Sequence, residues 1–170
     1  MTDAVENGPK PTGNRRSAAR LAAVQALYEM DMVDADADAV LEEFLSKRWR
    51  PGGPEANPAG DPTDGDPALI EPDKEWLGDI VHGVAQNRDK LDGLIGGALS
   101  GEWTVDRLES LIRVILRSAV FELSNKPNVP ASVVINEYLD VAHAFLEGPE
   151  TGLVNGVLDR LARDLRTGEL

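Results

Sequence analysis

The sequence predicts an all-α protein, a compact bundle of about seven helices. Three observations lead there. Apolar residues recur at three- and four-residue spacing in one segment after another. No run alternates apolar and polar residues between hairpin turns. Clusters of Pro, Gly and Asn punctuate the chain where the helical pattern lapses. Composition agrees: 42% of residues are hydrophobic but only 5% aromatic. The core must therefore be built from Leu, Val, Ile and Ala, which suit closely packed helices.

Residues 1–13 carry Gly8, Pro9, Pro11 and Gly13 with Lys10, and read as a disordered basic tail. The helical domain is expected over 14–168. Asn14 is a candidate N-cap for a helix rich in Ala, Leu and Gln, with Leu21, Val24 and Tyr28 on one face. Asp34, Asp36 and Asp38 alternate in a way that invites a calcium loop. Such a loop starting at Asp34 needs Gly at its sixth position and Glu at its twelfth; Ala39 and Leu45 stand there. A turn and an Asp-capped helix over about 37–50 is the better reading, with Val40, Leu41, Phe44 and Leu45 as its stripe. Residues 51–72 hold six prolines among Gly, Asp and Glu and are expected to be a loop.

Helical spacing resumes at Asp73 with Trp76, Leu77, Ile80, Val81 and Val84, then Leu91, Leu94, Ile95 and Leu99. Gly93, Gly96 and Gly97 there mark either a tight helix contact or a bend. Trp103-Thr104 is expected to start another helix capped by Thr104. From Leu111 to Leu123 the apolar arc is so broad that this helix should be central and buried. Pro130 is expected to open the next one at its first position. Gly148-Pro149 should end it. Thr151 is the expected cap of the last, with Leu153, Val154, Val157, Leu158, Leu161 and Leu165 inward.

The net charge is -13, which repels phosphates at long range. The distribution qualifies this. From Gly8 to Tyr28 there are four basic residues, Lys10, Arg15, Arg16 and Arg20, and no acidic one. That fits a local anion-binding arm, and equally a solvated helix start. Two adjacent arginines at a helix N-terminus oppose the helix dipole, a hint that they serve a ligand. Arg117 lies in an otherwise apolar helix, so it must pair with a carboxylate or face a ligand.

Little suggests catalysis. There is no cysteine, which excludes thiol nucleophiles, disulfides and Cys-based zinc sites. His82 and His143 lie outside any HExxH pattern, and no Walker, GxGxxG or GxSxG motif is present. A binding role without cofactor or metal is expected. Met1 to Pro11 has no apolar h-region, and no stretch reaches about 18 apolar residues. A cytoplasmic location away from membranes is therefore expected.

Three segments in order carry a family resemblance: Arg16-Ser-Ala-Ala-Arg20-Leu-Ala-Ala-Val-Gln25-Ala-Leu-Tyr28; Ile115-Leu116-Arg117 through Phe121-Glu122-Leu123; and Val129-Pro130, Ile135-Asn136-Glu137, then Val154-Asn155-Gly156-Val157-Leu158-Asp159. Together they resemble the NusB family of transcription antitermination factors, over roughly residues 14–48 and 74–165. The resemblance implies two packed three-helix halves. It implies binding to the boxA element of ribosomal RNA leader transcripts together with NusE, a small-subunit ribosomal protein. It also implies association with other Nus factors and RNA polymerase to keep ribosomal RNA transcription processive. Arg15, Arg16 and Arg20 match the family's arginine-rich start, and Arg117 is implied as a phosphate contact. Tyr28 either stacks on a base or sits at the core edge. At Leu153 many relatives carry Phe, which stacks where Leu cannot; Gly152 and Pro149 beside it also depart. A contact with four phosphates implies a log–log salt slope of about -3.

Two other readings follow from the same resemblance. One is a protein-only or homodimeric interaction module with weak or lost RNA binding. The other is an accessory domain of an RNA methyltransferase, less favoured because no Rossmann-like half follows within these 170 residues.

Overall fold

The computed structural model describes residues 11–47, 71–101 and 103–169. The described residues form seven α-helices: α1 Pro11–Val33, α2 Ala37–Lys47, α3 Lys74–Gln86, α4 Arg88–Ala98, α5 Ser110–Asn125, α6 Ala131–Phe145 and α7 Glu150–Leu165. No strand occurs among the described residues. Residues 1–10 of the tail expected over 1–13, and 51–70 of the loop expected over 51–72, lie outside them, whereas 11–13 belong to the first helix.

The helices form two groups. α1, α2 and α3 pack on one another, and α5, α6 and α7 do the same, with α4 laid against α5 and α7. α5 also touches α1 and α3, so it joins the two halves. Its burial explains why: Ile112, and every residue from Val114 to Leu123, is buried. Most of these are branched or aromatic apolar side chains, each worth about 1.5–3 kcal/mol when taken out of water.

Local chemistry sets several helix starts. The Asp36 carboxylate accepts from the N–H groups of Asp38 (3.1 Å) and Ala39 (3.4 Å) and caps α2. Asp73 caps α3 by accepting from Trp76 N–H at 3.0 Å. Asp34, between α1 and α2, takes φ 52, a conformation Asp tolerates better than most residues.

Other starts differ from expectation. α1 begins at Pro11 rather than after Asn14; proline suits a first helical turn, where its missing N–H costs nothing. Thr104 makes no side-chain cap bond, and only a 3-10 turn, Val105–Arg107, follows it. The chain turns extended at Leu108 (ψ 146), whose side chain enters the core, and the long helix starts at Ser110. Pro130 sits at the N-cap of α6 rather than inside it. α7 starts at Glu150, so Thr151 is already helical, and its hydroxyl donates to Gly148 O at 3.1 Å.

The glycines of α4 mark no tight contact; a Cβ at Gly96 would stand 3.8 Å from Val105, an ordinary contact. A Cβ at Gly93 or Gly97 would meet nothing within 4 Å. The close approach is at Gly83 on α3, where a methyl group would overlap the Phe121 ring of α5.

Candidate nucleic-acid interface

Arg16 and Arg20 are four residues apart and face the same side of α1, toward α3 and α6. Their guanidinium groups meet different surroundings.

Arg20 is buried, at 3% exposure. Its Nε and Nη2 donate to the Glu122 carboxylate at 2.8 and 2.9 Å, and its Nη1 donates to Glu137 at 2.5 Å. Tyr138 donates its hydroxyl to the same Glu122 at 2.5 Å, and Ser17 donates to Glu137 at 2.5 Å. Burial alone would lower the pKa of this guanidinium; the fork bond to Glu122 and the Glu122 charge outweigh it and raise it. Tyr138, fully buried, is pushed well above its ordinary value by burial first and then by the charge of Glu122. These groups form a closed internal network joining α1, α5 and α6.

Arg117 is held similarly. Nε and Nη2 donate to Asp92 on α4 at 2.7 and 2.9 Å, and Nη1 reaches Asp31 on α1 at 3.5 Å. Its side chain is 4% exposed. The expectation that Arg20 and Arg117 contact phosphates is therefore revised. Each already has carboxylate partners: pulling Arg20 out would leave the fully buried Glu122 uncompensated, and pulling Arg117 out would strip the partly buried Asp92 and Asp31 of their cation.

Arg16 is held without being neutralised. Its Cζ stands 4.1 Å from the centroid of the Trp76 ring. Its Nε is enclosed and makes no hydrogen bond, and no carboxylate pairs with it among the described residues. A ring face fixes a cation through its quadrupole and leaves the full positive charge in place. Arg15, next to it, is exposed, and its backbone O accepts from Asp73 N–H at 2.9 Å. Lys126, at the end of α5, reaches the same ring, with Nζ 4.6 Å from the centroid, and also pairs with Asp79 at 2.7 Å. The open cationic surface thus consists of exposed Arg15 and of Arg16 mounted on Trp76, with Lys126 on the same ring.

Trp76, Lys126, Glu122 and Glu137 carry this arrangement, and sequence reasoning missed all four as site residues. Trp76 reads as one more member of an apolar stripe, and indeed it is 9% exposed. Its cationic partners lie far off in the chain on α1 and after α5, so no local pattern signals the stack.

Tyr28 is 38% exposed, on α1 beyond the arginines; its open edge suits stacking. Leu153 is half-buried and lines a cavity of about 410 Å³ with Trp103, Arg107, Leu108, Ile112 and Pro149. That cavity is at the start of α5, whereas Arg20 meets α5 at Glu122. Ten residues of helix separate these levels, about 15 Å of rise. Only an extended ligand touches both Leu153 and the arginines.

Fold and site first define a class: a small all-helical binding module with a fixed cationic patch at the start of its first helix. The family model described as "NusB family" matches residues 17–163. The chain is 42% identical over 173 residues to the transcription antitermination protein NusB of Rhodopseudomonas palustris (strain BisB18), covering 99% of this chain and 96% of that one. It is 45% identical over 155 residues to that of Bartonella tribocorum (strain CIP 105476 / IBS 506), covering 91% and 92%. This protein belongs to the NusB family. Its fold is similar to that of T. maritima NusB, with TM-score 0.67 and 29% identity over 88% of this chain and 91% of that one. It is likewise similar in fold to a chain in the crystal structure of antitermination factors NusB and NusE in complex with dsRNA, at TM-score 0.67 and 20% identity over 87% and 96%.

Proposed function

We infer that this protein is a transcription antitermination factor, a binding protein and not an enzyme, that takes up boxA RNA of ribosomal RNA leader transcripts together with NusE. The observation that carries the reading is its identity of more than 40% with curated antitermination proteins over almost the whole chain. Arg15 and the Trp76-mounted Arg16 supply charge for the phosphates of a single-stranded RNA, and Tyr28, exposed about 18 Å further along α1, supplies an aromatic for a base. Other Nus factors and RNA polymerase are the further partners of this reading, and the cytoplasm its place. No described helix is long and apolar enough to cross a membrane.

The test is a titration of boxA RNA against the protein, with and without NusE, over a range of salt. RNA binding is expected to be tighter with NusE and to weaken as salt rises. Replacing Arg15 and Arg16 together by Glu should remove most of the affinity and flatten the log–log slope by about 1.4, two phosphate contacts on a single strand. Arg20 stays out of this variant because of its structural network. A NusE complex that forms without taking up RNA, at any salt, would instead favour a protein-only module. The locking of Arg20 and Arg117 into internal ion pairs favours that second reading.

A further inference from the structure

Lys126 is a basic residue that neither the helix start nor the family match brings forward. Its backbone is pinned. The N–H donates to Glu122 O at 2.9 Å, and the carbonyl accepts from Val129 N–H at 3.0 Å and from Arg166 Nη2 at 2.9 Å. Arg166, itself buried, also donates to Leu123 O and Val129 O, so the turn that carries Lys126 is braced from inside. Only the side chain is left to move. Its Nζ lies over the ring that holds Arg16, so the two charges are within a Debye length, about 10 Å at 0.1 M salt. The Lys126 side chain is 22% exposed and Asp79 is 43% exposed, so the carboxylate end of the pair is open to water, where an ion pair is weak and another anion can take its place.

We propose that Lys126 is a phosphate-binding residue of the same RNA face, and that Asp79 holds its ammonium until an RNA phosphate replaces the carboxylate. The proposal rests on the RNA-binding reading above. An ammonium carries three donors and forms a stronger bond with an anionic phosphate oxygen than with water. A phosphate arriving at Arg15 and Arg16 meets the Asp79 charge close by. Turning Lys126 from Asp79 toward the phosphate converts that repulsion into an attraction. The Trp76 ring supports Arg16 and Lys126 together, so the cationic surface runs from the start of α1 to the α5–α6 turn.

The experiment is the same titration, with full-length protein, NusE and two RNAs, boxA and a scrambled strand of equal length. Lys126→Gln is expected to weaken both RNAs by the same factor and to flatten the salt slope by about 0.7. Lys126→Arg should restore the slope. Asp79→Asn is expected to tighten binding, and this gain should shrink when combined with Lys126→Gln, because the two side chains act as one exchange unit. Thermal unfolding of each variant separates binding from folding, and Lys126→Arg with Asp79→Asn tests the idea even where Lys126→Gln folds poorly. Affinity and slope unchanged in Lys126→Gln, with binding still lost in the Arg15 and Arg16 double variant, would overturn the proposal and leave the RNA-binding reading standing. An Asp79→Asn gain that persists in full without Lys126 would also overturn it. Wild-type protein that takes up neither RNA with NusE would remove both.

Discussion

Replacing Arg20 by Met tests whether this arginine belongs to the fold or to the ligand. Met matches much of the aliphatic bulk and removes the charge. In the native structure Glu122 is fully buried and receives two bonds from Arg20 and one from Tyr138. The substitution leaves it one donor and no counter-charge. Glu137 keeps its bond from Ser17 and is 22% exposed, so water compensates it. The loss falls on Glu122. Breaking a buried pair from one side costs about 3–5 kcal/mol. For a chain of this size each kcal/mol moves the melting temperature by about 2–4 °C, so a fall on the order of 10 °C is expected in thermal unfolding followed by circular dichroism. Adding Glu122→Gln removes the stranded charge and should recover a large part of the deficit, a coupling that two independent surface residues do not show. Arg20→Met within about 1 kcal/mol of wild type, the range of an exposed ion pair, would refute the buried network and return Arg20 to the RNA face.

Four further outcomes can be checked. Gly83→Ala gains about 1 kcal/mol of helix propensity but drives a methyl into the Phe121 ring, and overpacking costs about 1–3 kcal/mol; urea unfolding should show a net loss. Gly93→Ala, with open space at its Cβ, should stabilise by about 0.5–1 kcal/mol. Tyr138 is raised by burial and by Glu122, so the folded protein keeps its phenol proton where the unfolded chain loses it, near pH 10. Stability should then fall as pH rises past 10, and in a Tyr28→Phe background the phenolate absorbance should appear together with unfolding. Glu169 is lowered by the Ala131 N–H and then by Arg166. Its bond to the start of α6 is present above the ordinary carboxylate value and is lost as pH falls through its lowered value. Protection of the Ala131 amide, its exchange rate relative to that of an unstructured peptide at the same pH, should fall there, and Glu169→Gln should remove that pH dependence.

Much of the fold is legible in the sequence because its causes are local. Apolar spacing places the seven helices in order, and the breadth of the Leu111–Leu123 arc marks α5 as the buried one. Asp36 and Asp73 cap the residues immediately after them. Where local signals compete, legibility fails. Thr104 looks like a cap, yet burying Leu108 in the core breaks the helix after one 3-10 turn. Gly83 looks like an ordinary helix-weakening residue until Phe121, far along the chain, is packed against it.

The site divides the same way. By itself the sequence determined that the start of α1 is basic, that an arginine lies inside the apolar α5, and that the chain resembles NusB proteins. It did not determine which arginines remain available as charges. Arg16 and Arg20 are the same residue type on the same helix face. Arg20 meets carboxylates 102 and 117 positions away, which absorb its charge into the core. Arg16 meets an indole ring, which fixes it and leaves its charge outward. The reason is the range of the interactions. A cap or a helical stripe is settled within a few residues, whereas the partner of a long cationic side chain is chosen by which helices pack beside it, and that choice exists only in the folded molecule.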